Sequence, residues 1–122
     1  MANKNSKTNK LPKKAECEQW EMLSPMLNAI LAELQVLSKG KPNDALNKFK
    51  ANSINKILGR IKDLLANEPT TEFLELLDEE TLPTNSDAVL IMVQYKTAMD
   101  QFRTKYYSDD GFGFNYAWQT AD

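Results

Sequence analysis

Residues 86–107 constrain the fold of this chain more than any other stretch. They read SDAVLIMVQYKTAMDQFRTKYY, and Ala88, Ile91, Met92, Tyr95, Ala98, Met99, Phe102 and Tyr106 recur at steps of three and four. A helix with 3.6 residues per turn brings those positions onto one face, so the spacing predicts a long amphipathic helix. Ser86 or Asp87 is suited to cap its start, because a side-chain oxygen accepts one of the backbone N–H groups that a helix start leaves unpaired. Residues 89–93 are apolar all round, which predicts burial of that end on several sides. A face this wide needs partners, and the rest of the chain must supply them.

Upstream, the pattern reads as shorter helices. Pro12 can open a helix, since a first-turn proline loses no hydrogen bond. Ser24-Pro25 predicts a kink or a restart, because proline removes a donor and disfavours helical geometry in the residue before it. Met26, Leu27, Ile30, Leu31, Leu34 and Leu37 then keep helical phase up to Lys39-Gly40, where glycine can take a left-handed cap. Leu46 and Phe49 start another apolar face. Lys50 breaks its phase, so a short helix over 44–50 and a second one opened by Asn52 or Ser53 are expected. Gly59, inside that second helix, suggests close approach of another backbone. After Pro69, Thr70 or Thr71 can cap a further two turns with Phe73, Leu74 and Leu77 facing inward, and residues 78–85 read as a connector. The expected fold is all-α: a single-domain compact bundle of four to six helices over 13–108. It is flanked by a disordered basic tail (1–12), too polar to offset the entropy of ordering itself, and an extended aromatic tail (109–122).

Composition excludes several chemistries. The 122 residues contain no histidine and one cysteine, Cys17. A Ser-His-Asp or Cys-His nucleophile is therefore impossible, and zinc would lack its usual ligands. None of the four glycines sits in a phosphate-loop or dinucleotide pattern. The acidic stretch 76–87 lacks the ligand alternation and central glycine of a calcium loop. The expectation is a protein without a cofactor or metal that is not an enzyme. No window approaches eighteen apolar residues, no apolar segment follows the N-terminal lysines, and the lone cysteine suits a reducing compartment. No membrane association and a cytoplasmic location are expected.

Charge is sorted along the chain. Residues 39–62 carry seven basic side chains against one acid, whereas 63–87 carry eight acids and no base. Mutual solvation of neighbouring segments explains this adequately. The alternative is a nucleic-acid surface formed by Lys48, Lys56, Arg60 and Lys62 with the N-terminal lysines, since a phosphate backbone needs several cations in register. On a continuous helix Lys48, Asn52, Asn55 and Lys62 point away from the apolar stripe.

The tail has a different rhythm. Phe112, Phe114, Tyr116 and Trp118 alternate with Gly113, Asn115 and Ala117, and six of the eleven aromatic residues fall in the last seventeen positions. A period of two is strand-like. Either the tail folds back and its rings seal the bundle, or it is a recognition segment for a partner's sheet edge or pockets. The functional expectation is a protein–protein interaction module, as adaptor, inhibitor, immunity-type factor or small subunit of a complex. Tyr107, Phe112, Phe114, Tyr116 and Trp118, with the bundle surface, would bind the partner. A nucleic-acid-associated subunit is the alternative.

Overall fold

Helix α1, Lys14–Gly40, is the element against which both other helices pack in the computed structural model. The model describes residues 10–109, 111, 113 and 115–122; the expectation of disorder over residues 1–9 lies outside them. Helix α2 is Lys48–Leu64 and α3 is Asn85–Tyr106. A 3-10 turn, Pro69–Phe73, precedes α3, and two short strands, β1 (Tyr107–Asp109) and β2 (Tyr116–Trp118), follow it. Three helices and a small antiparallel hairpin thus replace the expected bundle of four to six helices.

The uninterrupted helices have local causes. Pro25 does not interrupt α1. It lies on the solvent face, and the carbonyl it leaves without a donor belongs to Glu21, also exposed, where water can satisfy it. Lys50 does not interrupt α2, because it is half-buried at the edge of the apolar face and its long stem can run along that surface. The helix is capped by Asn47, whose Oδ1 accepts the Lys50 N–H at 2.8 Å, so it starts neither at residue 44 nor at Asn52 or Ser53. Gly59 meets no close backbone; a Cβ built there has nothing within 4 Å. In α3 the cap is Thr84, whose Oγ1 accepts the Asp87 N–H at 3.1 Å. Its predicted face is buried from Ala88 to Tyr106, with Ile91 half-buried, but the N-terminal end is not covered all round: Leu90 is 60% exposed and Val93 is exposed too.

The largest correction falls on residues 71–77. Beyond the 3-10 turn this segment is extended, and Phe73 is 66% exposed while Leu74 and Leu77 are buried in the core. Side chains of the helices replace the hydrogen bonds that a helix would have made. Leu77 exchanges two bonds with Asn55, its N–H donating to Oδ1 and its carbonyl accepting from Nδ2, both at 2.8 Å. Tyr95 Oη donates to the Glu75 carbonyl and Lys62 Nζ to the Leu74 carbonyl, each at 2.8 Å. The Leu77 N–H and the Leu74, Glu75 and Leu77 carbonyls are paired without helical geometry, and two leucines enter the core beside α2 and α3. Burial pushes the Tyr95 phenol well above its ordinary range, with Glu75 contributing.

α1 and α3 are locked together by Leu23, Leu27, Leu31 and Leu34 facing Met92, Tyr95, Met99 and Phe102 within one buried cluster. Trp20 Nε1 crosses between them to the Met99 carbonyl at 2.9 Å. At the other end, buried Asn85 donates to the Lys41 carbonyl at 2.8 Å, which ties the start of α3 to the end of α1. Among the described residues no helix is long and apolar enough to cross a membrane.

Candidate functional site

The hairpin grows directly out of α3. Tyr107 closes the helix by donating its N–H to the Arg103 carbonyl and begins β1 in the same step. The partner for the alternating tail therefore comes from residues whose spacing had continued the helix. Tyr107 pairs with Trp118, Ser108 with Ala117 and Asp109 with Tyr116. Opposed residues share a face of an antiparallel ladder, as do residues two apart, so Tyr107, Tyr116 and Trp118 all lie on one side.

On that side the rings form a continuous series from core to surface. Trp118 packs edge-on to Trp20 (centroids 5.4 Å apart) and tilted against Phe102 (5.8 Å). Tyr107 meets Trp118 edge-on at 5.4 Å, and Tyr116 stacks on Tyr107 at 6.2 Å with 21° between planes. The Arg103 guanidinium carbon stands 4.2 Å from the Tyr107 ring centroid, a favourable placement of a cation over a π-face. Trp118 and Tyr107 are half-buried, and Tyr116, last in the series, is 61% exposed. Phe112 and Phe114 lie outside the described residues. The loop between the strands turns through Gly111 (φ +94°) and Gly113 (φ +79°), a region that favours glycine. The Gly111 N–H donates to Asp109 Oδ1 at 3.0 Å.

After β2 the chain continues back to the start of α1. Trp118 Nε1 donates to Glu21 Oε2 at 2.9 Å, and the Gln119 N–H to the Tyr106 carbonyl at 2.7 Å. The Ala121 N–H reaches the Pro12 carbonyl at 2.8 Å. Asp122 Oδ1 then accepts the Lys14 N–H at 2.9 Å, an anion on the positive end of the helix. The tail thus seals the bundle with one part of its aromatic surface and leaves another part outside.

Titratable groups nearby are held in unreactive forms. The Cys17 thiol is pushed up to about 11 by burial, reinforced by Glu16, Asp122, Glu21 and Glu18, so it stays protonated at neutral pH. Tyr106 Oη donates to Glu68 Oε2 at 2.8 Å, and Lys105 Nζ lies 3.3 Å from Glu68 Oε1. Burial, then that bond to Glu68, raises the Tyr106 phenol. Among the described residues no group of three or more Cys, Asp or Glu side chains is placed to hold a metal ion.

The four candidate nucleic-acid contacts of the basic segment, Lys48, Lys56, Arg60 and Lys62, fall in two groups on α2. Lys62 is drawn to the Leu74 carbonyl, and Lys48 adds its charge to the bonds from Asn55 and Asn52 that hold the Glu79 carboxyl below its ordinary value. Both sit on the α2 face that receives the extended connector, where Asn52 and Asn55 also bind Glu79 (3.1 and 2.8 Å). Lys56 is exposed and Arg60 contacts Gln19 Oε1 at 3.3 Å, around the helix from that face. Basic and acidic segments lie side by side as charge sorting suggested, but amides join them. Among the described residues the ion pairs within 4 Å are Lys96–Asp100 and Lys105–Glu68. Sequence reasoning missed Arg103 and Glu21, which hold Tyr107 and Trp118; an isolated charge on a helix flank carries no signal of the ring it will meet. No family model, curated protein or solved structure matches this chain.

Proposed function

We propose that this chain is a non-enzymatic protein-binding module, an adaptor, inhibitor, immunity-type factor or small subunit that docks a partner protein on the outer rings of its C-terminal hairpin. The observation that carries this reading is the exposure of Tyr116 on a ring, Tyr107, that is itself fixed by Arg103 and Trp118. An aromatic side chain already held in place loses little conformational freedom on binding, and such rings dominate interface energies. The single buried thiol favours a reducing, cytoplasmic setting. A nucleic-acid-associated subunit has weaker support, because Lys62 and Lys48 face the connector, away from Lys56 and Arg60. The test is recovery of a partner from cells that make the protein, using the chain and its Tyr116→Ala variant as baits. The variant should retain its fold and recover at least about tenfold less partner, the scale of one interface hot spot. Equal recovery would overturn the reading.

A further inference from the structure

A second surface lies on the other flank of the molecule, where α1 and α2 leave an apolar groove of about 380 Å³. Ile30 and Leu34 of α1 and Phe49, Ile54 and Ile57 of α2 line it. Phe49 is 78% exposed on its rim. Met26 and Met22, both exposed, extend the Ile30 stripe by one and two turns, as residues four apart on a helix must. Methionines beside an apolar groove make an adaptable docking surface. The two helices run antiparallel here, because Arg60 of α2 meets Gln19 near the start of α1 while Phe49 lies beside Leu34. From Phe49 to Ile57 the α2 side of the groove is about 12 Å long at ~1.5 Å per residue, which matches about two turns of a helix.

Its charge is one-sided. Lys50 lines the groove, and Lys56 and Arg60 follow Phe49 at helical spacing along the α2 rim. Among the described residues no carboxylate comes within 4 Å of any of the three. The opposite rim carries Glu33. We propose that this groove binds an amphipathic helix of another protein, its apolar face against Ile30, Phe49 and Ile57 and an acidic flank along Lys50, Lys56 and Arg60. Such a helix would lie across α1 and α2 as a fourth helix, covering the apolar side chains that this face exposes, and its carboxylates would complete the unpaired cations. The inference rests on the reading of the chain as a protein-binding module but not on the hairpin.

A display library of random peptides about 16 residues long, enough to span the groove and reach Lys56 and Arg60 beside it, is selected on the full chain. The selected peptides should share apolar residues at steps of three and four with Asp or Glu along one flank. Their affinity should fall at least about tenfold for Phe49→Asp, and by a similar factor for the Lys56→Glu/Arg60→Glu double variant. All three positions are exposed, so both variants should keep the circular dichroism of the parent. Tyr116→Ala should bind the peptides unchanged, which separates failure of the groove from failure of the hairpin. Peptides without an acidic flank, binding indifferent to Phe49→Asp, or no selected peptide would overturn the proposal. So would a dimer in sedimentation that Phe49→Asp abolishes, because the occupant would then be a second copy.

Discussion

The extended connector over residues 74–80 and the C-terminal hairpin are the two non-helical additions to the three helices, and they are used in opposite ways. The connector is held inward at two residues and along its backbone: Leu74 and Leu77 enter the core, and Asn55, Lys62 and Tyr95 bind its backbone. The hairpin is anchored at Trp118 and opens outward from there, through half-buried Tyr107 to exposed Tyr116. A segment whose backbone is bound by the body of the protein, as at Leu74, Glu75 and Leu77, is fixed by those bonds along its length. One that is satisfied only at its base has a rigid apolar surface to spare, which is the condition for recognition without a large ordering cost.

That contrast can be broken by substitution. Trp118→Ala removes the ring that joins the hairpin to Trp20 and Phe102 and should have the largest effect, about 3 kcal/mol of unfolding free energy, the low end for truncating a core aromatic side chain because this one is half-buried. If urea unfolding instead shows a loss within error, the hairpin is not anchored as described. Asn55→Ala leaves the Leu77 N–H and carbonyl without their partner and should cost about 2 kcal/mol. It should also speed amide exchange at Leu77, while partner recovery stays at the parental level.

Acid should weaken the connector. The Asp78 carboxyl is held below its ordinary value by the Thr81 and Glu80 N–H groups, and Glu79 is held down by Asn55, then Asn52. Folded values that are depressed give stabilisation that is complete above the unfolded values of 3.8 and 4.5 and is lost as pH falls through the folded ones. The urea midpoint should therefore decline below about pH 4.5, and less steeply in Glu79→Gln. An acid limb of unchanged slope in that variant would place the titration elsewhere. Smallest of all should be the stability change in Tyr116→Ala, no more than about 1 kcal/mol for losing one exposed stacked pair.

The helical core was legible in the sequence because its information is local. The face of α3 from Ala88 to Tyr106, the Leu27–Leu34 stripe of α1 and the Ile54–Ile61 stripe of α2 repeat with the period of the element that buries them. What decided the connector is not local. Phe73, Leu74 and Leu77 suit a helix by spacing, and the competing geometry wins through Asn55, more than twenty residues away. Proline and lysine misled for a related reason. Pro25 and Lys50 count as breaks only where their neighbours are buried, and both lie at or near the solvent edge. For the candidate site, the alternation around Tyr116 and Trp118 was visible, but its three-residue partner strand was hidden in the last turn of a helical pattern. Phe49 shows the converse error. Its apolar side chain suggested core, and it stands on the surface beside the groove.

The central claim is that binding resides on the outer rings of the hairpin while stability resides beneath them. The most direct test is the partner recovered by Tyr116→Ala at matched concentration of folded protein, alongside Asn55→Ala. The account predicts that Tyr116→Ala, nearly as stable as the parent, loses at least about tenfold in recovery, whereas the less stable Asn55→Ala loses none. Binding that follows stability instead, retained in Tyr116→Ala and lost in Asn55→Ala, would contradict it.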